Sequence, residues 1–175
     1  MYLLKIPKSR VGCLIGKKGI TKRLIEKNTK SSIRVNKEGE VEINGEGYEG
    51  YICEKIVKAI GRGFNPEVAL NLMQENYGFE VIDIRDYSGK SKKKFYRIKS
   101  RLIGEGGRSR RVIERLTNCN ICIFGKTASL IGEFENLSIA LKGVEKLLRG
   151  SPHGSVYGFL EREIKKVRKE NKMRR

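Results

Sequence analysis

Two short loops in this sequence contain the residue types that bind phosphate groups. They are GKKG at residues 16–19 and GEGG at residues 104–107. Glycine has no Cβ atom, so the backbone of a ligand can lie directly against such a loop. The N–H groups at the start of a following helix attract phosphate, and lysine side chains add positive charge. A GxxG segment alone also occurs in ordinary turns, so the surrounding sequence decides between the two interpretations.

An internal repeat surrounds the two loops. The segment LIGKKGITKRLIEKNTKSSI (14–33) aligns without a gap with LIGEGGRSRRVIERLTNCNI (102–121), at an offset of 102 − 14 = 88 residues. The identical positions include glycines, apolar residues and one acidic residue, Glu26 or Glu114. Because chance similarity rarely preserves all three kinds of residue, we infer two copies of one fold.

Hydrophobic periodicity predicts the same order of elements in both copies. The elements expected in the first copy are a strand (2–6), a helix through 11–15, a second helix through 20–25, a strand hairpin (31–35 and 40–44) and a closing helix through 48–60. Those expected in the second are a strand (80–87), a helix through 95–103, a helix through 112–116, a hairpin of NICIF and ASLIG, and a closing helix (134–148). This order, strand-helix-helix-strand-strand-helix, predicts an α+β protein with two tandem domains.

The domain organisation follows from the repeat. We expect a first domain at 1–63, a helical connector at 64–79, a second domain at 80–150, and a C-terminal loop and basic helix at 151–175. Asn65 can cap a connector helix, and Pro66 suits its first turn. In the C-terminal segment, Val156, Phe159 and Leu160 form the start of an amphipathic stripe. Two interpretations stay open for this stripe, packing across the junction of the domains or docking of a protein partner.

The charge balance indicates a polyanionic partner. Lys and Arg number 38 and Asp and Glu number 20, which gives a net charge of +18. Such an excess favours nucleic acid as the first candidate and an anionic membrane surface as the second. The most basic run is 90–115, where 11 basic residues stand against 2 acidic ones. This run brackets the second loop, so we interpret it as an RNA surface rather than a solvated face.

A membrane protein and an enzyme are both disfavoured by the sequence. No stretch approaches the roughly 20 apolar residues that span a bilayer, and the first ten residues lack the apolar segment of a signal peptide, so we expect a cytoplasmic protein. His153 is the sole histidine, and Asp83 and Asp86 should point to opposite faces of a strand. Cys119 and Cys122 lack two further ligands for zinc, so we expect buried or edge thiols, no metal site, no cofactor and no catalysis.

The helix-GxxG-helix setting resembles the KH family of type I, whose loop clamps about four nucleotides of single-stranded nucleic acid. In that family the bases lie in a groove between the loop and second helix on one side and, on the other, the strand that comes second of the three in chain order. The resemblance implies RNA contacts in the first domain by Gly16, Lys17, Lys18, Gly19, Lys22, Arg23 and Arg34. It implies contacts in the second by Gly104, Gly106, Gly107, Arg108, Arg110 and Arg111. The basic run adds Lys92, Lys93 and Lys94 as further candidates for RNA contact. Glu105 departs from the pattern because it brings negative charge to the phosphate track.

Three apolar residues complete the expected groove of the first domain. Ile15, Ile20 and Ile33 lie next to the loop or on the middle strand in the KH pattern. Ile15 and Ile20 fit ordinary core positions equally well, and that alternative stays open.

A closer resemblance extends over nearly the whole chain. AIGRGFNPEVALNLM (59–73), EVIDIRDY (80–87), the second loop region and SPHGSVYGFLE (151–161) are similar to the two-KH ribosome-assembly factors of the partner-of-Nob-one family in its short archaeal form. The resemblance implies binding of pre-rRNA near the 3′ end of the small-subunit RNA. It also implies partnership with the maturation endonuclease and with the alpha subunit of initiation factor two.

Two other function classes remain as alternatives at this point. One is another KH protein of RNA metabolism, such as an exosome cap subunit or a ribosomal or translation factor. An exosome cap subunit should carry an S1-type β-barrel, and no run of short strands is left over for one. The other alternative is a docking adaptor whose KH folds no longer bind RNA.

Overall fold

The computed structural model describes residues 1–173, which form two compact units. The first unit comprises Met1–Phe79 and the second begins at Glu80. The elements of the first unit are β1 (Tyr2–Lys5), α1 (Lys8–Ile15), α2 (Ile20–Thr29), β2 (Ser32–Val35), β3 (Glu40–Asn44), α3 (Gly47–Gly61) and α4 (Pro66–Ala69). Short 3-10 turns occupy Lys17–Gly19 and Leu70–Met73.

The second unit repeats this order with additions at both ends. Its first strand is β4 (Tyr77–Asp83), whose first three residues fall within the range of the first unit. The elements that follow are α5 (Arg85–Ser88), α6 (Lys92–Ile103), α7 (Arg108–Thr117), β5 (Asn120–Phe124), β6 (Thr127–Glu133), α8 (Phe134–Leu148) and α9 (His153–Met173). A 3-10 turn at Glu105–Gly107 joins α6 to α7, as Lys17–Gly19 joins α1 to α2. The predicted α+β class and the strand-helix-helix-strand-strand-helix order are confirmed in both copies.

Each unit contains one three-stranded sheet with the third strand in the middle. The order is β1-β3-β2 in the first unit and β4-β6-β5 in the second. The hairpin strands pair antiparallel, with Ile33 opposite Ile43 in one sheet and Ile121 opposite Leu130 in the other. Ile33 and Ile121 occupy the same repeat position, and both are buried in the core. The second strand of each repeat is therefore an edge strand, and it follows the second helix directly along the chain.

The strand predicted at 80–87 is wrong at both ends. β4 begins at Tyr77 and ends at Asp83, and Arg85–Ser88 form the short helix α5. The Asp83 carboxylate accepts the backbone N–H of Arg85 at 2.9 Å and also binds its guanidinium group, which favours a turn there. The expectation that Asp83 and Asp86 lie on opposite faces of a strand therefore does not apply.

The connector after α3 packs on the first unit. α4 is a single turn that begins at Pro66, and a 3-10 turn follows it. Both contact α3, and Phe64, Ala69 and Leu72 are buried. Asn65 precedes the helix as expected, although its side chain makes no capping hydrogen bond.

Helix α9 supplies part of the core of the second unit. It packs on α7 and α8 and buries Val156, Leu160 and Ile164. A Cβ atom at Gly143 of α8 would lie 2.7 Å from a methyl carbon of Leu160, so the glycine allows the two helices to approach closely. The sequence alone allows two surfaces for this stripe, the domain junction and a protein partner. The structure instead places its buried residues in the core of the second unit.

The cysteines do not form a metal centre within residues 1–173. Cys53 and Cys119 are buried, and Cys13 and Cys122 are half-buried. Burial raises the pKa of the Cys119 thiol to about 11, so this group is protonated at neutral pH. No group of three or more His, Cys, Asp or Glu side chains in this range is arranged to hold a metal ion. In the same range, no helix combines the length and apolar character needed to cross a bilayer.

Candidate nucleic-acid interface

The two glycine loops have nearly the same backbone conformation. The first glycine has φ 72° at Gly16 and 74° at Gly104, and the last has 76° and 79° at the matching positions. In each loop the N–H of the last glycine donates to the carbonyl of the first at 3.1 Å. The two sequences GKKG and GEGG therefore build one structure, in which the residues at the second and third positions are exposed.

The first glycine of each loop is required by close packing as well as by its φ angle. A Cβ atom at Gly16 would lie 2.2 Å from Oγ1 of Thr21, and one at Gly104 would lie 2.5 Å from the backbone nitrogen of Ser109. Thr21 and Ser109 occupy equivalent positions in the first turn of the helix after the loop. Any side chain at the first glycine would therefore push the loop off that helix.

Lys18 adopts a conformation that glycine adopts in the second copy. Its φ is 52°, and that of the equivalent Gly106 is 53°. A non-glycine residue in this left-handed region is strained by roughly 1–2 kcal/mol. The guanidinium group of Arg23 donates to the Lys18 carbonyl at 2.8 Å and so helps to hold the loop. Arg23, predicted to contact phosphate, thus has a loop-supporting hydrogen bond in this structure.

The helices after the loops begin without side-chain caps. Gly19 and Gly107 are the N-cap residues of α2 and α7, and neither helix start receives a capping hydrogen bond from a side chain in the described chain. The first N–H groups of an α-helix have no partner within the helix. The N–H groups of Ile20 and Arg108, the first residues of the two helices, donate to the carbonyls of Lys17 and Glu105. The N–H groups that follow them, together with the positive end of the helix dipole, can bind a phosphate that lies against the loop.

A glutamate connects the second helix to the edge strand in each copy. The Glu26 carboxylate accepts the N–H of Ile33 at 2.7 Å, and the Glu114 carboxylate accepts the N–H of Ile121 at 2.8 Å. This bond explains the acidic identity in the repeat, because it joins the two walls of the expected groove. A basic residue one turn earlier completes each cluster, Lys22 at 3.0 Å from Glu26 and Arg110 at 3.7 Å from Glu114.

Lys22 and Arg110 were predicted to contact RNA, and the structure places both beside these glutamates. Arg110 also donates to the carbonyl of Ile121 at 3.3 Å. Their positive charges therefore lie near the expected groove, and their side chains contact the glutamates that connect the second helix to the edge strand.

The apolar residues next to the first loop differ in their exposure. Ile20 is 58% exposed, so it does not occupy the core position that its spacing also allowed, and Leu24 is 43% exposed. They lie four residues apart on α2, directly after the loop, and Ile15 before the loop is half-buried. The placement of Ile33 in the groove is wrong, because its side chain is 1% exposed and belongs to the core. Leu24 was not among the predicted groove residues, and its exposed position four residues after Ile20 adds it to the candidates.

Arg34 lies on the edge strand β2 and is exposed. It stands opposite Glu42 of β3 in the antiparallel register. The neighbouring Ile33 points into the core, so Arg34 points to the other face of the sheet. Arg34 therefore lies on the strand that forms the expected groove wall, and its side chain is on the face of the sheet that points away from the core.

The predicted residues of the second unit fall into two separate groups. Arg108 and Arg111 of α7 are exposed and line a shallow cavity of about 570 Å³ directly after the loop. Lys92, Lys93 and Lys94 are exposed at the start of α6, whereas the loop follows its end. Eleven residues of helix separate Lys92 from Ile103, which is about 16 Å. The structure does not bring these lysines together with the loop.

Replacing Glu105 with lysine is expected to strengthen RNA binding. Glu105 is exposed, and Lys17 occupies the same loop position in the first copy (105 − 88 = 17), so Glu105→Lys should not disturb the fold. The new charge removes a repulsion and adds a cation beside the phosphate track, so affinity should rise several-fold. The slope of log affinity against log salt should steepen by about 0.7 for one added phosphate contact. Fluorescence anisotropy with a labelled single-stranded RNA at several salt concentrations measures both quantities.

Glu75→Lys is the matched control for this substitution. Glu75 is also an exposed acid in a turn, and it lies outside both loops. The control changes the net charge by the same amount without adding a cation to a loop. Equal gains from the two variants would show that GEGG does not contact phosphate.

Comparisons with known proteins place these loops in a family. Residues 78–165 match the family described as eukaryotic type KH-domain (KH-domain type I), and residues 2–60 match the KH domain. The chain is 46% identical to a KH domain-containing protein of Methanocaldococcus jannaschii over 95% of this chain and 75% of that protein. It is 31% identical to the pre-rRNA-processing protein PNO1 of Gibberella zeae over 61% of this chain, and the match spans only 42% of that protein.

A solved structure agrees with the sequence relatives. The chain superposes on one from the crystal structure of an a/eIF2alpha–aDim2p–rRNA complex of Pyrococcus horikoshii with a TM-score of 0.86 and 42% identity. The superposition covers 94% of each chain, so it extends over both units. The family match over residues 78–165 and these similarities show that the chain belongs to the KH-domain family of PNO1 and Dim2 proteins.

Proposed function

We propose that this protein binds single-stranded small-subunit rRNA during ribosome assembly, near the 3′ end of that RNA. The observation that carries the proposal is the glycine loop built twice with one backbone conformation, each time before an uncapped helix start. The positions that we assign to RNA contact are those predicted from the KH resemblance, with Leu24 added. In this proposal the protein binds and positions RNA, and it carries out no catalytic step.

Charge and family membership both support this function. The net charge of +18 favours a polyanion, and most of the affinity of such proteins comes from phosphate contacts. The PNO1 relative is a pre-rRNA-processing protein, and the Dim2p relative was crystallised in a complex with rRNA. The expectation of a cytoplasmic protein stays a prediction.

The proposal includes one protein partner. The complex of Pyrococcus horikoshii contains a/eIF2alpha together with Dim2p and rRNA, and this chain is 42% identical to a chain of that structure. We therefore assign the alpha subunit of initiation factor two as a partner of this protein. The maturation endonuclease, which the family resemblance implies, stays a prediction.

Crosslinking in cells tests the RNA target directly. Ultraviolet crosslinking of the full chain, followed by mapping of the bound RNA, should give a peak near the 3′ end of the small-subunit rRNA. A second sample that carries Gly16→Asp and Gly104→Asp should lose this peak, because a Cβ atom at either position collides with the next helix. Crosslinks spread evenly over unrelated RNAs would contradict the assignment to small-subunit rRNA.

A further inference from the structure

The second unit contains an inserted segment that the first unit lacks. Only residues 6–7 separate β1 from α1, whereas residues 84–91 separate β4 from α6. The offset of 88 places Lys8, the start of α1, opposite Tyr96, so α6 also begins one turn earlier than its counterpart. The repeated fold does not require this segment, because the first unit forms the same sheet and helices without it.

The insertion builds a small basic cavity with an aromatic side. The cavity has a volume of about 300 Å³ and is lined by Arg85, Ser88, Gly89, Lys90, Ser91, Lys92, Phe95, Tyr96 and Lys126. Four of these lining residues are cations, and no Asp or Glu is among them. Lys126 comes from the turn between β5 and β6, so the cavity joins the insertion to the hairpin of the same unit.

Most of the positive charge in this cavity is not neutralised by the described part of the chain. Arg85 is paired with Asp83. Lys90, Lys92 and Lys126 are exposed, and none of the three forms an ion pair with a residue in 1–173. Three uncompensated lysines around one concave surface favour a ligand with negative charge.

Tyr96 gives the cavity a flat aromatic surface. Its side chain is 64% exposed, and its ring stands edge-on to that of Phe95 with the centroids 5.4 Å apart. Phe95 packs against the core of the second unit, so it fixes the position of the tyrosine ring. An exposed, positioned aromatic ring beside lysines is the arrangement that binds single-stranded nucleic acid by base stacking and phosphate contact.

A stripe of exposed residues runs along α6 to the GEGG loop, beginning at Lys93, which follows the cavity residue Lys92 in the chain. Lys93, Arg97 and Ser100 lie on one side of α6 at positions i, i+4 and i+7, and all three are exposed. The next residue in this series is Gly104, the first residue of the loop. The cavity and the loop are thus the two ends of one helix about 16 Å apart, a distance that a few nucleotides span.

We propose that the cavity formed by Arg85–Tyr96 and Lys126 is a second RNA subsite, which holds a nucleotide a few positions along the strand from the nucleotides at the GEGG loop. Tyr96 stacks on the base, and Lys90, Lys92 and Lys126 bind the flanking phosphates. The inference rests on the proposed RNA-binding function and extends the contact beyond the KH groove. It therefore applies only to RNA long enough to reach both ends of α6.

A single introduced fluorophore can report this contact. The chain contains no Trp, so Tyr96→Trp places one indole at the cavity, and Tyr48→Trp places one at an exposed tyrosine of the first unit as the control. Titration with an oligouridylate of about twelve nucleotides should strongly quench the fluorescence of the Tyr96→Trp variant. An oligouridylate of about four nucleotides, the length that a KH loop clamps, should quench it much less. The Tyr48→Trp control should respond to neither RNA.

Affinity measurements on two further variants provide the second readout. Tyr96→Ala should weaken binding of the twelve-nucleotide RNA about fivefold or more. Lys90→Gln with Lys126→Gln should weaken it several-fold and reduce the salt slope by about 1.4 for two lost phosphate contacts. Tyr96→Ala should bind the four-nucleotide RNA with wild-type affinity, because it leaves the loops and the net charge unchanged. The double lysine variant should lose much less affinity for the four-nucleotide RNA than for the twelve-nucleotide RNA, because only the general field of the protein changes at the loops.

The outcomes separate this inference from the proposed function. Tight binding of the longer RNA by the wild type, with no quenching in the Tyr96→Trp variant and no loss in either affinity variant, overturns the second subsite and leaves the proposed function standing. Equal losses of affinity for the two RNA lengths would also overturn it, since the effect would then not depend on whether the RNA is long enough to extend from the loop to the cavity. Failure of the wild type to bind either RNA overturns the proposed function, and the subsite with it.

Discussion

Deleting helix α9 after Gly150 is expected to unfold the second unit. The deletion removes Val156, Leu160 and Ile164, which are at most 4% exposed and pack on α7 and α8. Burial of three such side chains contributes about 5–9 kcal/mol at about 1.5–3 kcal/mol each, which is comparable to the whole stability of a small domain. Thermal unfolding followed by circular dichroism should show loss of the native signal of this unit.

A point substitution tests the same packing without removing the helix. Leu160→Ala should lower the free energy of unfolding by about 2–5 kcal/mol, since Leu160 is fully buried against Gly143. Glu161→Ala changes the exposed neighbour and should alter the free energy by less than about 0.5 kcal/mol. A chain that ends at Gly150 and unfolds at the wild-type temperature would show that α9 is only a peripheral segment.

Reversing both charges of the first loop is expected to weaken RNA binding at least about tenfold. Lys17 and Lys18 are exposed, and aspartate tolerates the left-handed conformation at position 18 better than most residues, so Lys17→Asp with Lys18→Asp should fold normally. The salt slope should fall by about 1.4 for two lost phosphate contacts. Anisotropy with a single-stranded RNA from the 3′ end of the small-subunit rRNA measures both effects.

Two distant lysines provide the control for charge alone. Lys27 lies in the last turn of α2, at the end opposite to the loop, and Lys58 lies on α3. Lys27→Asp with Lys58→Asp changes the net charge equally, so it should weaken binding only through the general field of the protein. If the two double variants lose the same affinity, GKKG is not a phosphate site.

The repeat allowed most of the architecture to be predicted. Leu14, Ile25 and Ile33 recur 88 residues later, and all six residues are buried in the structure. The glycines recur because both loops need the same φ angles, so the joint between the two helices could be predicted as well. Alternation and helical spacing predicted the strands and the long helices, since each unit buries one face of its sheet and of each long helix.

The errors arose where local hydrogen bonds or tertiary contacts override periodicity. EVIDIRDY alternates as a strand does, but the Asp83 carboxylate binds the N–H of Arg85 and ends the strand. The α9 stripe was recognised, yet the sequence contains no signal for the surface that it covers. Leu160 packs against Gly143 of α8, and this contact is visible only in the folded chain.

The glycine loops of the candidate site could be predicted from the sequence, but the hydrogen bonds that hold the helix and strand beside them could not. GKKG and GEGG are visible as motifs, whereas the bond from Glu26 to Ile33 depends on the folded positions of a helix and a strand. The cavity at Tyr96 also escaped the sequence analysis. It combines an insertion with Lys126, which lies thirty residues away along the chain (126 − 96 = 30). Only the structure shows that these two segments meet.

The bonds from Glu26 to Ile33 and from Glu114 to Ile121 have a consequence for the kinetics of binding. Each bond fixes the spacing between a helix and an edge strand before any RNA arrives. A surface that already has its bound shape loses little conformational entropy when the ligand enters. The on-rate for RNA should therefore be set by encounter and electrostatic attraction rather than by a rearrangement of the protein.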